Sequence, residues 1–207
     1  MTEAIQDSGF GSIHTRHAGS ITALRSPPRA ICAGLELKFA VRDCSLGKVL
    51  VAASDKGVCF VALGDAAEPL LTNLRSRFPK ARFVRGDADF ETLVAEVLGF
   101  VEAPARSFEL PLDIHGTAFQ RRVWAALREI PAGSTVSYAQ IARRIGEPKS
   151  VRAVAGAIAA NKIAVAIPCH RVLHSDGSLS GFRWGVERKR ALLDKEAGVK
   201  TPNCSGF

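Results

Sequence analysis

A chain of 207 residues, 47% hydrophobic with 18 glycines and 10 prolines spread along it, has the composition of a folded protein of one large or two small domains and excludes a disordered or fibrous one. No apolar run approaches the roughly 20 residues that cross a bilayer, and the start, with Glu3 and Asp7 and no apolar h-region, is not a signal peptide, so a cytoplasmic protein with no membrane partner is expected. The net charge of +8 is uneven: residues 117–196 hold 14 Lys and Arg against 6 Asp and Glu, the rest 14 against 14, so the excess lies in one segment and points to nucleic acid as its partner.

Residues 1–35 carry Gly, Ser, Pro and Arg without periodicity and are expected to form a flexible arm. Leu37–Val41, Lys48–Ala53 and Val58–Leu63 read as short antiparallel strands, the last two joined by a turn in which Gly57 supplies a positive φ. Glu68–Phe78 and Phe90–Val101 repeat apolar residues at helical spacing and would cover that sheet, which makes residues 36–106 a small α/β domain. Glu102-Ala103-Pro104-Ala105-Arg106 marks a boundary, Leu110–Ile114 resumes an extended path, and helices dominate residues 107–197, with 198–207 as a tail. The fold class is therefore α+β, a small N-terminal antiparallel sheet with helices followed by a mostly helical domain.

In that second domain Thr117, Ser137 and Ser150 are each placed to cap a helix, and Gly146 ends the middle one, which is a helix-turn-helix pattern. The last of these helices is smooth. Ala153, Gly156 and their alanine neighbours leave few side chains able to read a base edge, so the helix suits a narrow groove or a close packing interface, while Lys149 and Arg152 at its start favour phosphate. Five cysteines at scattered positions, with no Cys-x-x-Cys pair, fit reduced thiols and no zinc site. Cys59, inside an apolar run, reads as buried and inert, whereas Cys169 ends the apolar, strand-like approach Ala164–Ile167 and stands between Pro168 and His170-Arg171, groups that fix its position and favour thiolate.

From these blocks the chain resembles the methylated-DNA–protein-cysteine alkyltransferases, and within them the alkyltransferase half of the bacterial adaptive-response regulator. The resemblance runs from Leu37 to Glu196 and rests on Ile167-Pro168-Cys169-His170-Arg171-Val172, supported by Gly116–Gln120, Val136-Ser137-Tyr138, Arg152-Ala153-Val154, Asn161 and Ser180–Gly185. It implies single-turnover repair, in which Cys169 takes the alkyl group from O6-alkylguanine, or O4-alkylthymine, in duplex DNA after the base is flipped out, with no cofactor or metal and the protein a monomer. His170 would be the base acting through a water and Glu196 the carboxylate that orients it. Asn161 would brace the turn behind Cys169, and Tyr138 would press the backbone and contact the base. Arg152 would fill the gap in the duplex, with Lys149, Ser150, Ala153, Gly156 and Arg171 also facing DNA. Phe182, Ser180, Arg183, Pro168 and Val172 would line the alkyl pocket.

Phe182 stands where many relatives carry tyrosine, so a hydroxyl contact is missing there. Only about 35 unpatterned residues precede the resemblance, so a transcriptional role is not expected. A non-catalytic sensor of alkylated bases is disfavoured because the acceptor Cys169 is present. A helix-turn-helix regulator lacks polar recognition residues, and a cysteine hydrolase would draw its histidine from elsewhere in the chain.

Overall fold

The structure is a computed structural model that describes residues 34–105 and 109–198. The expected arm, apart from its last two residues, and nearly all of the expected tail lie outside the described residues, as do His14 and His17, a weak hint of metal binding. The N-terminal region begins with a meander of β1 (Glu36–Cys44), β2 (Gly47–Ser54) and β3 (Gly57–Gly64), paired antiparallel. α1 (Ala67–Arg77), β4 (Arg82–Arg85) and α2 (Ala88–Glu102) follow, and β4 returns to pair parallel with β1, giving the strand order β3-β2-β1-β4. α1 packs against β2 and β3, and α2 against β1 and β2. Leu37, Val49, Leu50, Val51, Val58 and Val61 are wholly buried in this core with Leu74 and Phe78 from the α1 end and Val94 and Val101 from α2. β4 is not expected from the sequence, because its four residues Arg-Phe-Val-Arg hold too little apolar pattern to show.

The C-terminal region contains α3 (Ala118–Arg128), β5 (Val136–Ser137), α4 (Tyr138–Arg144), α5 (Val151–Ala159), β6 (Val172–Leu173) and α6 (Val186–Ala197). Thr117 and Ser137 close full capping boxes with Gln120 and Gln140, so α3 and α4 start where side chains satisfy orphan amides. Ser150 differs from expectation. Its hydroxyl donates to Glu147 (3.1 Å) and caps no amide of α5.

β3 is the strand that joins the two regions. Val58 N donates to Pro111 O and Asp113 N to Val58 O, both at 2.9 Å, while Val61 N donates to Lys162 O and Ala164 N to Val61 O, also at 2.9 Å. Gly57 (φ +130°) lies so close to this seam that a Cβ there would stand 2.3 Å from Pro111 O. The segment leading to Cys169 is thus registered on the N-terminal sheet by backbone hydrogen bonds. Among the described residues no helix is long and apolar enough to cross a membrane.

Candidate active site

The approach to Cys169 is a tight turn, not the strand the apolar run suggested, and Cys169–Arg171 form one turn of 3-10 helix. Neighbouring side chains there do not alternate between opposite faces as they would on an extended segment. Val165, buried in this turn, has φ 64°, a left-handed conformation that a β-branched residue adopts only under constraint. Asn161 supplies the constraint. Its amide nitrogen donates to Ile167 O (3.0 Å), Ile163 O (3.3 Å) and Cys169 Sγ (3.2 Å), and its Oδ1 accepts from Ile163 N (2.9 Å). Burial pushes the Cys169 thiol up to about 11, against the opposing pull of the Asn161 hydrogen bond and the Lys189 and Arg183 charges. Cys169 therefore rests as a thiol, and forming thiolate requires a base.

His170, wholly buried, follows Cys169 in the same 3-10 turn. Its Nε2 lies 2.8 Å from Glu196 Oε1, and because a carboxylate only accepts, Nε2 carries the proton and Nδ1 holds the lone pair. Among the described residues Nδ1 is buried without a protein partner. Burial holds the imidazole below its ordinary pKa despite the upward pull of Glu196, so His170 is neutral and able to accept a proton.

Glu196 is also wholly buried. Burial would raise its pKa, yet the hydrogen bonds of His170 and Arg171 outweigh that and hold the carboxyl at about 2. Arg171, expected to face DNA, faces inward instead. Arg171 is buried, and its guanidinium donates to Glu196 (2.7 Å from Nη2, 3.0 Å from Nε), to Ile130 O (2.5 Å) and to Pro104 O (3.3 Å). A charge enclosed on all these partners cannot reach a phosphate.

A cleft of about 570 Å³ lies beside Cys169, between α5 and the loop Ser180–Trp184. Tyr138, Arg152, Ser180, Phe182 and Arg183 line it, together with His174 and Trp184, which the sequence reading did not single out. Pro168 and Val172 do not. Both are buried, and Val172 serves the site through its carbonyl. That carbonyl leads to a residue the sequence reading missed. Lys189, wholly buried on α6, donates to Val172 O (2.5 Å) and Ser180 Oγ (2.6 Å). Ser180 Oγ in turn donates to Val172 O (3.1 Å) and accepts from the Tyr138 hydroxyl (2.8 Å), so all its valences are used. Burial pulls Lys189 down to about 8, with Cys169 acting in the opposite direction. The available signal was spacing: Lys189 stands seven residues before Glu196, two turns along one helix face.

α5 forms the outer wall of the cleft. Arg152, Ala153 and Gly156 are exposed, Lys149 is exposed just before the helix, and Val154, Ala157 and Ile158 point inward, with Trp124 Nε1 donating to Ala157 O (2.8 Å). Among the described residues a Cβ on Gly156 would meet nothing within 4 Å, so no packing against them explains a glycine in mid-helix. Among the described residues no group of three or more His, Cys, Asp or Glu is placed to hold a metal ion.

Residues 118–198 match the family described as 6-O-methylguanine DNA methyltransferase, DNA binding domain. The chain is 52% identical over 163 residues to the bifunctional transcriptional activator/DNA repair enzyme Ada of Escherichia coli, which covers 79% of this chain and 46% of Ada, so it spans about half the length of that relative. It is 42% identical over 147 residues to the inducible methylated-DNA–protein-cysteine methyltransferase of Bacillus subtilis, covering 70% of this chain and 82% of that protein. The crystal structure of Mycobacterium tuberculosis OGT in complex with DNA superposes with a TM-score of 0.64 at 33% identity, over 79% of this chain and 93% of that one. With a buried thiol and a neutral His170 in one 3-10 turn, His170 held by Glu196 of α6, and with these likenesses over both regions, the chain belongs to the O6-methylguanine DNA methyltransferase family.

Proposed function

We propose that this protein reverses alkylation damage in duplex DNA by moving the alkyl group of O6-alkylguanine onto Cys169, once per molecule. The observation that carries this reading is the chain of contacts Asn161–Cys169 and His170–Glu196 beside a cleft whose outer wall is an exposed, smooth helix. A thiol held at about 11 and an adjacent neutral imidazole form a nucleophile that is generated on demand. The Cys169 proton passes by way of a water to His170 Nδ1, and Glu196 stabilises the imidazolium. The Sγ–C bond forms as the C–O6 bond breaks, its electron pair leaves on the purine, and the purine takes up one proton to become guanine.

The thioether has no water-labile acyl bond, which supports a stoichiometric reaction. Arg152 fills the vacated stack, and Tyr138, Ser180 and Phe182 receive the flipped base, a division that lowers the unstacking cost. Lys149 and the exposed face of α5, with Ala153 and Gly156, lie along the DNA backbone and groove. Residues 36–106 and 107–197 act as two domains joined along β3. Intact-mass measurement after mixing with a duplex containing O6-methylguanine tests the reading. One methyl increment on the peptide holding Cys169, a plateau at one equivalent, and no transfer by Cys169→Ser are expected. Multiple turnovers, or methylation elsewhere, would overturn it.

A further inference from the structure

The cleft has two walls, and Arg183 ties them together. It belongs to the loop Ser180–Trp184, yet its Nε donates to Ala159 O (3.0 Å) and its Nη2 to the same oxygen, the carbonyl of the last residue of α5. Terminal carbonyls of a helix lack intrahelical partners, and a cation is favourable beside them, so the contact suits both sides. Elsewhere the loop is anchored through Ser180, on Tyr138, Val172 and Lys189, and through Trp184 O, which accepts from Arg188 Nη1 (2.9 Å). Arg183 differs from those anchors in being exposed. Partial desolvation of the guanidinium and the repulsion of Arg77, the last residue of α1, both act against its charge, with Cys169 acting in the opposite direction. The tie is therefore of a kind that opens, whereas the buried Ser180 anchor is not.

We propose that Arg183 is a specificity-determining latch: bonded to Ala159 O it holds the loop on α5 and restricts the cleft to small alkyl groups on the base. This rests on the alkyl-transfer reading above. Loss of the latch frees one wall at its α5 end while Ser180 still fixes the other. Space then opens beside Cys169, where a larger group must sit as its first carbon meets the sulphur.

The test uses the full chain and two duplexes of one sequence, carrying O6-methylguanine or O6-benzylguanine, with the second-order transfer rate measured for each. Arg183→Met keeps the hydrocarbon stem and removes the donors, and Arg183→Lys keeps a donor and the charge. Arg183→Met should raise the benzyl-to-methyl rate ratio by about tenfold, the scale of one lost charge-assisted hydrogen bond, and Arg183→Lys should restore most of the wild-type ratio. An unchanged ratio in Arg183→Met overturns the latch. So does an equal fall on both substrates, which would make Arg183 an electrostatic support for the thiolate. Thermal melting of each variant reports folding, and the ratio does not move with the folded fraction. A wild-type protein that fails on methylguanine would refute the alkyl-transfer reading and not the latch alone.

Discussion

α5 and α6 are both short helices beside Cys169, and they break the usual rules of helix composition in opposite directions. α5 carries an exposed glycine and alanine face that no packing among the described residues explains. α6 buries Lys189 and Glu196, and every charge it buries is matched by a partner within the protein. An oddity without an internal partner points outward, to whatever surface approaches α5; an oddity that is fully partnered belongs to the chemistry. Breaking a buried pair by removing one member leaves an uncompensated charge, a loss of about 3–5 kcal/mol. Glu196→Gln is therefore the largest effect expected: Arg171 is stranded, His170 loses the acceptor that fixes its tautomer, and both stability and transfer collapse, as chemical denaturation and single-turnover rates would report.

The same variant carries a pH signature. The folded-state pKa of Glu196 is depressed, from 4.5 to about 2, so its contribution to stability is fully present above about 4.5 and is lost as pH falls through the folded value. Wild-type stability should drop between about pH 4.5 and 2, and Glu196→Gln should flatten that limb. Glu102, held near 2 by Lys195 and Ser45, titrates in the same window, but it is largely exposed, and solvent screens it. An acid limb equally steep in the variant would assign the transition to other carboxylates.

On α5 the matching test is Arg152→Ala. If Arg152 acts outward, on the gap left in the duplex, its loss should slow repair of duplex O6-methylguanine about a hundredfold, the scale of a few kcal/mol of unstacking, and leave transfer from the free base near wild type. Equal losses on both would mean that Arg152 serves the fold. Lys189→Met probes the inward helix without touching Cys169 or His170. It removes a nearby cation and the donors to Val172 O and Ser180 Oγ, each charged hydrogen bond being about 1.5–3 kcal/mol, so transfer should fall about ten- to a hundredfold on duplex and free base alike. A selective loss on duplex would move Lys189 into DNA recognition.

How much of this was legible in the sequence follows the same division. Local chemistry showed: the helix caps at Thr117 and Ser137, the smooth face of α5 and the Pro-Cys-His-Arg block can be read because each depends on neighbours in the chain. Tertiary partners did not. Arg171 was expected to face DNA, because a basic residue beside a nucleophile carries no mark of a carboxylate 25 residues on. Lys189 was hidden for the same reason, since its partners Val172 and Ser180 reach it only through the fold. The apolar run Ala164–Ile167 read as a strand, yet Asn161 bends it into a turn with Val165 in a left-handed conformation, a tertiary constraint that overrides β propensity. β4 needed β1 as its template and showed no pattern of its own.

Gly156→Ala is the smallest change and separates the two helices most cleanly. A glycine in the interior of a helix costs roughly 0.5–1 kcal/mol relative to alanine, because the unfolded chain has more freedom to lose. At Gly156 the added methyl meets no atom within 4 Å, so no clash offsets that gain, and the variant should be more stable than the wild type by about this amount. If the exposed face of α5 lies in a groove of DNA, the same methyl stands where a sugar or base edge must come close, and duplex affinity should fall by a few-fold while transfer from free O6-methylguanine is untouched. Denaturant titration and duplex binding at fixed salt measure the two quantities separately. A variant that is more stable and binds DNA as tightly as the wild type would show that this glycine answers to no partner, and the outward reading of α5 would then rest on Arg152 alone.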